Sequence, residues 1–166
     1  MQKLHASTRR PRFARALSIV LLGLASGFLL AAPALADVDG TKTERANAKV
    51  VNDFIAAWDN PDKAVTFLAP EASVRMEEDK PALVGPKAVG DAFKGFMTPG
   101  VKLHVKTLRT TVHGPVVMNK RVDTLKTKGK PDQAFPVVGV FIVKNGKITE
   151  WTDYLDKGEE AAKAAK

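Results

Sequence analysis

Three charged residues in the second half of the chain have the types and spacing that proton-transfer chemistry requires: Arg121, Asp123 and Asp153. Arg121 and Asp123 are two residues apart in a segment of alternating residues, so on a strand their side chains point to the same face. Asp153 shares a face with Trp151 in a later alternating segment. If Trp151 faces inward, the three side chains meet over one sheet, where a guanidinium can bridge two carboxylates through its planar fork.

Two carboxylates held close together cannot both ionise freely, so one keeps a proton and donates it while the other accepts one. Such a pair supplies a general acid and a general base in one pocket. The alternative is a structural ion pair, because perturbed carboxylates also occur in structural networks. Spacing alone leaves both interpretations open.

The spacing of apolar residues changes after Gly100 from a helical to an alternating pattern, and this change predicts the elements that position the three charged residues. Downstream of it, alternating residues rich in Val, Thr and Ile predict four strands, at 102–112, 116–126, 134–144 and 147–156. Asn145-Gly146 predicts a type I′ hairpin turn between the last two.

Upstream of Gly100, apolar residues at helical spacing predict three helices, at 42–57, 61–68 and 87–97. Thr43 is the expected N-cap of the first helix, 71–77 a short strand, and 81–86 a loop. Helices followed by a meander predict an α+β domain in which three helices cover one face of a curved antiparallel sheet. The aromatic residues expected in or beside its core are Phe54, Trp58, Phe67, Phe93, Phe96, Phe141 and Trp151.

Residues 1–36 have the parts of a cleavable signal peptide in order. Five Lys and Arg residues precede an apolar run from Ala16 to Ala32, and Ala34-Leu35-Ala36 forms an A-x-A cleavage site. The run is shorter than the ~20 apolar residues of a spanning helix. We therefore expect a periplasmic or secreted protein, no membrane association after cleavage, and a single domain at residues 37–166.

Charge and composition exclude several classes of function. The leader holds five of the 26 basic residues, which leaves 21 against 18 acidic ones, a net charge of +3 without a basic stripe. Nucleic-acid binding is therefore not expected. The chain has no cysteine, and His104 and His113 have no third ligand at metal-binding spacing, so we expect neither a thiol nucleophile nor a metal or other cofactor. The sequence leaves a homodimer open.

The motifs at 121–123 (R-V-D), 145–148 (N-G-K-I) and 151–154 (W-T-D-Y) resemble the C-terminal half of limonene-1,2-epoxide hydrolases. That family lies within the nuclear transport factor 2-like (SnoaL-like) superfamily. With the segment 85–89 and the first helix, the similarity covers nearly all of residues 43–156. The resemblance implies a cone-shaped fold of helices against a curved antiparallel sheet.

The same resemblance implies catalytic roles for the three charged residues. Asp153 would take a proton from water, Asp123 would protonate an epoxide oxygen, and Arg121 would hold the two carboxylates together. Ring opening would be a one-step attack by water, without a covalent ester intermediate or a metal. Independently of the resemblance, Trp58 and Trp151 are expected to line the core and the pocket.

The chain departs from the family at the early strand. Members of the family position the attacking water with a tyrosine and an asparagine two residues apart. The corresponding positions here are Arg75 and Glu77, or Val74 and Met76 if the register shifts by one residue. Neither register supplies the pair.

Three functions follow as alternatives. The first is an exported epoxide hydrolase-like enzyme that adds water to a small lipophilic epoxide. The second is a non-catalytic binding protein for a small lipophilic ligand, and the third is a SnoaL-like isomerase or cyclase that uses one aspartate as a base. The three charged residues favour the first, whereas the departure at the early strand favours the second, and fold alone does not decide.

Overall fold

The computed structural model describes residues 39–156, which form one six-stranded sheet and three helices. The helices are α1 (Lys42–Ala56), α2 (Pro61–Ala64) and α3 (Gly85–Phe96), and a 3-10 turn (Val65–Phe67) follows α2. The strands are β1 (Leu68–Arg75), β2 (Leu83–Val84), β3 (Val101–His113), β4 (Val116–Thr127), β5 (Gln133–Lys144) and β6 (Lys147–Leu155). Within this range no helix is long and apolar enough to cross a membrane. The expected signal peptide and its cleavage site lie outside the described residues.

The N-cap of α1 lies two residues before the expected one. Thr41, and not Thr43, accepts a hydrogen bond from the Glu44 backbone N–H, and the Glu44 side chain accepts one from the Thr41 N–H at 2.8 Å. This reciprocal capping box satisfies two backbone donors at the start of the helix. Asn47, Val51 and Phe54 then share the buried face of α1.

The segment between α1 and α3 differs most from the prediction. The second helix was expected to reach residue 68, but α2 ends at Ala64 and β1 begins at Leu68. The strand was therefore expected three residues too late. Pro70 lacks a backbone donor, and the pairing of β1 with β6 shifts register between Leu68 and Ser73, as is typical where proline interrupts a ladder. The expected loop 81–86 contains β2 and the first residues of α3.

The sheet is curved, as expected. It was expected to be antiparallel throughout, but it is mixed. Its strand order is β2-β1-β6-β5-β4-β3. Strands β3 to β6 form the predicted antiparallel meander, but β1 lies parallel to β6. The parallel pair places the end of β1 beside Trp151, which pairs with Val74. Val74 on β1 and Trp151 on β6 therefore lie on the same face of the sheet.

The bounds predicted for the four long strands, β3 to β6, are confirmed to within one residue at each end. Asn145 and Gly146, with φ of 52° and 72°, form the turn between β5 and β6. Positive φ at both residues is the requirement of the predicted type I′ turn. The turn pairs Val143 with Ile148, and a register shift of one residue between Ile142 and Val143 then sets Gly139 opposite Asp153.

The core lies between the helices and the inward face of the sheet. Phe54 is completely buried and contacts five aromatic rings at centroid distances of 5.3–6.4 Å. Those rings belong to Trp58, Phe67, Phe93, Phe141 and Trp151. Of the seven expected aromatic residues, Phe96 lies outside this cluster, with 53% of its surface exposed.

Candidate active site

Strands β4, β5 and β6 place Arg121, Asp123 and Asp153 on the inward face of the sheet. Arg121 and Asp123 lie on β4, and Asp153 lies two strands away on β6. Gly139 on the intervening strand β5 pairs with Asp153. Because Gly139 has no side chain, the guanidinium of Arg121 can cross β5 and reach Asp153.

A single guanidinium joins the two carboxylates. Arg121 Nε donates to both oxygens of Asp123 at 3.0 and 3.1 Å, and Arg121 Nη2 donates to Asp153 Oδ2 at 2.5 Å. The indole Nε1 of Trp151 donates to the other oxygen of Asp153 at 2.6 Å. The sequence-based expectation that the three charged side chains meet over the sheet is therefore correct in geometry.

The three groups differ in their access to solvent. The side chain of Arg121 is completely buried, and its guanidinium carbon lies 4.8 Å from the centroid of the Trp58 ring. The side chain of Asp153 is 9% exposed and that of Asp123 is 14% exposed. A buried guanidinium stacked on an aromatic ring is held in one orientation, which in turn holds the two carboxylates apart and in place.

Burial changes the protonation of both carboxyl groups. It raises the pKa of Asp153 to about 6, although Arg121 and the Trp151 N–H act in the opposite direction. Burial also raises the pKa of Asp123, again against the effect of Arg121. At neutral pH, Asp153 is thus ionised for most of the time but is close enough to its pKa to exchange a proton readily.

A cavity of about 350 Å³ opens beside the two carboxylates. Asp123 and Asp153 line it together with apolar side chains from both the helices and the sheet, among them Trp58, Phe93 and Val137. The residues of its lining with the largest exposed apolar surface are Phe96, Phe135 and Leu155, which therefore mark its mouth. A mostly apolar cavity with a few convergent polar groups is typical of a site for a small lipophilic molecule.

The structure corrects the expected water-positioning residues. Arg75 pairs with Thr152 on the opposite face of β6, is exposed, and does not line the cavity. Its assignment to water positioning is therefore wrong. The register shifted by one residue is the correct one, because Val74 pairs with Trp151 and Met76 lines the cavity.

Glu77 and Trp151 are the other two residues that were expected to position water or substrate. Glu77 also lines the cavity, but its side chain is about half exposed and lies 4.0 Å from Lys80. It therefore belongs to the outer part of the cavity. Trp151 lines the cavity as expected and in addition donates directly to Asp153.

The roles that Gly139 and Trp58 have in the site were not predicted from the sequence. Gly139 leaves the space that the Arg121 guanidinium crosses: a Cβ there would lie 2.5 Å from Arg121 Nη1 and 2.9 Å from Asp153 Oδ1. The signal was an isolated glycine inside a strand pattern, which often marks a close approach of other groups. Trp58, expected in the core, also stacks on Arg121.

Within residues 39–156, no group of three or more His, Asp or Glu side chains is arranged to hold a metal ion. His104 and His113 lie at opposite parts of β3, paired with Thr124 and Val116 respectively. The ionisable side chains that line the described cavity are Asp123, Asp153 and Glu77.

Comparisons with known proteins agree with this geometry. The sequence model of the limonene-1,2-epoxide hydrolase catalytic domain matches residues 45–162. An epoxide hydrolase from M. tuberculosis that is similar to limonene-1,2-epoxide hydrolase is 27% identical to this chain. The match covers 68% of this chain and 84% of that one, with a TM-score of 0.60. No curated protein matches the chain at a significant level.

More distant structures share the fold alone. A polyketide cyclase-like protein from Xanthomonas campestris is 20% identical, with a TM-score of 0.60, over 72% of this chain and 97% of that one. A protein of ketosteroid isomerase-like fold from Catenulispora acidiphila, solved in complex with trimethylamine, is 19% identical, with a TM-score of 0.57, over 70% and 91%. The family match spans most of the chain and contains all three charged residues of the site. The chain thus belongs to the limonene-1,2-epoxide hydrolase family.

Proposed function

We propose that this protein opens the ring of a small lipophilic epoxide by one-step general acid and base catalysis. The observation that carries the proposal is the single guanidinium that holds two carboxylates against an apolar cavity. Asp153 takes a proton from water as the water oxygen bonds to one epoxide carbon. The bond from that carbon to the epoxide oxygen breaks, and Asp123 delivers a proton to this oxygen. The product is a diol, and the proton on Asp153 is returned to Asp123.

Two observations bear on which carboxyl group acts as the base, and they point in opposite directions. Burial raises the pKa of Asp153 to about 6, which favours Asp153 as the protonated member. Fixed N–H donors from Arg121 and Trp151, however, reach both of its oxygens, whereas Asp123 receives only Arg121 Nε. We assign the base to Asp153, because hydrogen bonds of this kind stabilise the ionised carboxylate.

Replacement of either carboxylate tests the proposal. We expect Asp123→Asn and Asp153→Asn each to lower the rate of epoxide hydration by about 100-fold or more, because each removes one proton-transfer group while it keeps the shape of the side chain. The thermal midpoint should change little, since Arg121 keeps one carboxylate partner in each variant. The measurement is diol formation on a panel of small lipophilic epoxides, with thermal unfolding in parallel.

Glu150→Gln is the matched control, because Glu150 is exposed on the same strand as Asp153. It should leave both rate and stability unchanged. If the wild type hydrates no epoxide but binds lipophilic ligands tightly, the protein is the non-catalytic binding protein. A purely structural network would instead show variants that unfold at clearly lower temperature, since removal of one partner from a buried ion pair costs about 3–5 kcal/mol.

We propose further that the protein is exported and that its mature chain begins at Asp37. Ala34-Leu35-Ala36 precedes polar sequence directly, as a signal-peptidase site does. Mass spectrometry of protein recovered from the periplasm or the medium should give the mass of residues 37–166. A full-length product retained in the membrane would contradict export.

A further inference from the structure

The cavity exposes the two aspartates, and not the guanidinium that joins them, to a bound molecule. Arg121 is completely buried and does not line the cavity. The side chains of Asp123 and Asp153 do line it, and they are 14% and 9% exposed. Among the described residues of the lining, Glu77 is the only other ionisable side chain. Every ionisable group that a ligand meets on this wall is therefore acidic.

The number of protons on the two aspartates determines the charge of the site. With one aspartate protonated, as epoxide opening requires, the charges of Arg121 and the remaining carboxylate cancel. With both ionised, one positive charge faces two negative ones, and the site is anionic. Burial raises the pKa of both aspartates and so opposes the anionic state. A cation bound beside the carboxylates favours that state, because an opposite charge stabilises the ionised form.

Asp123 has the hydrogen-bonding capacity to hold such a cation. Arg121 Nε donates to its two oxygens at 3.0 and 3.1 Å, and a carboxylate has about four acceptor positions. The two oxygens of Asp153, by contrast, already accept from Arg121 Nη2 and from the Trp151 indole. An N–H cation in the cavity can therefore donate to Asp123 while Asp153 remains the base.

A strained ring that contains nitrogen supplies a cation of this kind. The nitrogen of an N-alkyl aziridine is far more basic than an epoxide oxygen and is protonated near neutral pH. The three-membered ring is strained as in an epoxide, and the bound proton already makes the nitrogen a leaving group. Opening of this ring therefore needs a base that activates water, but no acid. The apolar lining, which includes Phe93 and Val137, accommodates the alkyl substituent.

We propose that the same centre hydrates lipophilic N-alkyl aziridines, bound as their protonated cations, to amino alcohols. The inference rests on the proposed epoxide-opening function of this site. The water oxygen bonds to a ring carbon while one of its protons passes to Asp153. The bond from that carbon to nitrogen breaks, and its electron pair neutralises the charge on nitrogen. The amine of the product then takes the proton from Asp153, so water is the only reactant consumed.

Asp123 contributes differently to the two reactions. It gives a proton to the epoxide oxygen, whereas with the aziridine it is ionised and accepts the N–H of the ring. Hydrogen bonds between ionised partners are about twice as strong as neutral ones. Asp123 thus acts in the chemical step of epoxide opening, but mainly in substrate binding for the aziridine. Asp153 is the base in both reactions.

The test compares three substrates with the same alkyl chain: an epoxide, an N-alkyl aziridine and an N-acyl aziridine. The nitrogen of the N-acyl compound is not basic, so its opening needs an acid, as that of the epoxide does. Wild type should open the epoxide and the N-alkyl aziridine. In Asp123→Asn, the kcat for the N-alkyl aziridine should stay within about threefold of wild type while its KM rises by about tenfold. The kcat for the epoxide and for the N-acyl aziridine should fall by about 100-fold or more.

Two further variants serve as references. Asp153→Asn should lose the opening of all three substrates, because they share the base. Glu150→Gln, at an exposed position of β6, should change none of the rates. An equal loss of kcat for all three substrates in Asp123→Asn would contradict the inference, since aziridine opening would then depend on the same acid as epoxide opening.

The wild-type results separate the two proposals. If wild type opens the epoxide but not the N-alkyl aziridine, the inference is refuted while the epoxide-opening function stands. If it opens neither substrate, both fail together.

Discussion

Replacement of Arg121 by methionine is expected to lower the free energy of unfolding by about 3–5 kcal/mol at pH 7 and to abolish epoxide opening. Methionine preserves most of the apolar stem but leaves Asp123 and Asp153 facing each other in a buried site without the guanidinium that joins them. Two uncompensated carboxylates cannot both stay ionised there, so the pKa of at least one rises further.

The loss of stability in Arg121→Met should depend on pH in a defined direction. A carboxyl group whose pKa is higher in the folded than in the unfolded state destabilises the fold above its unfolded pKa, and this effect grows as pH rises toward the folded pKa. Removal of Arg121 enlarges that difference for Asp153, whose pKa is already raised to about 6. Chemical denaturation should therefore show a smaller loss at pH 5 than at pH 7.

Two further variants complete the test of Arg121. Arg109→Met, at an exposed position of β3, should change stability little at either pH. Arg121→Lys should keep part of the stability but not the activity, because one ammonium group cannot reproduce the planar fork. A loss below about 1 kcal/mol in Arg121→Met, or one that is equal at both pH values, would mean that the carboxylates do not depend on the guanidinium.

Gly139→Ala is expected to have the second-largest effect: a loss of about 1–3 kcal/mol in the free energy of unfolding. Strands β4 and β6 hydrogen-bond to β5 on both sides, so the backbone at Gly139 cannot move away. The new methyl group would lie 2.5 Å from Arg121 Nη1 and 2.7 Å from the ring of Phe141. Both contacts are too short for a real Cβ, so the guanidinium must shift, and the ring of Phe141, which stacks on Trp151 with an interplanar angle of 9°, must shift as well.

A displaced guanidinium should also impair the reaction. Misplacement of a catalytic assembly by about 1 Å can cost about 100-fold in rate, and we expect a loss of that order in the kcat for epoxide hydration. Gly95→Ala is the control, since nothing lies within 4 Å of a Cβ at this helical position. It should raise stability by about 0.5–1 kcal/mol. A Gly139→Ala protein with wild-type activity and stability would show that Arg121 does not need the space over β5.

The sheet half of the fold was predictable because its signals are local. Period-two alternation and the Asn145-Gly146 turn predict where β3 to β6 begin and that Arg121, Asp123 and Asp153 share one face. They do not predict the register shift between Ile142 and Val143, after which Ile148 is buried in the core together with Trp151. Burial on one side of a sheet makes that register strict, because a shift of one residue would reverse every side chain.

The first half was less predictable because the decisive contacts are distant in sequence. The strand β1 pairs with β6, about 80 residues later in the chain, and nothing within residues 68–77 records that partner. The alternation is weak and Pro70 interrupts it, so the strand was expected too late in the chain. For the same reason Arg75, and not Val74, was assigned to the inward face. Glycine is needed at position 139 because the Arg121 side chain passes over β5 at this point. The sequence does not show this, because it depends on β4, β5 and β6 lying side by side.

The most direct test of one-step acid and base catalysis is a single turnover in water labelled with heavy oxygen, with enzyme in excess over a lipophilic epoxide. If Asp153 activates water and Asp123 protonates the epoxide, the first diol formed carries the label, and peptides that contain Asp123 or Asp153 stay unlabelled. An unlabelled first diol, with label recovered in either aspartate, would contradict the proposed mechanism, because the attacking oxygen would then have come from a covalent ester.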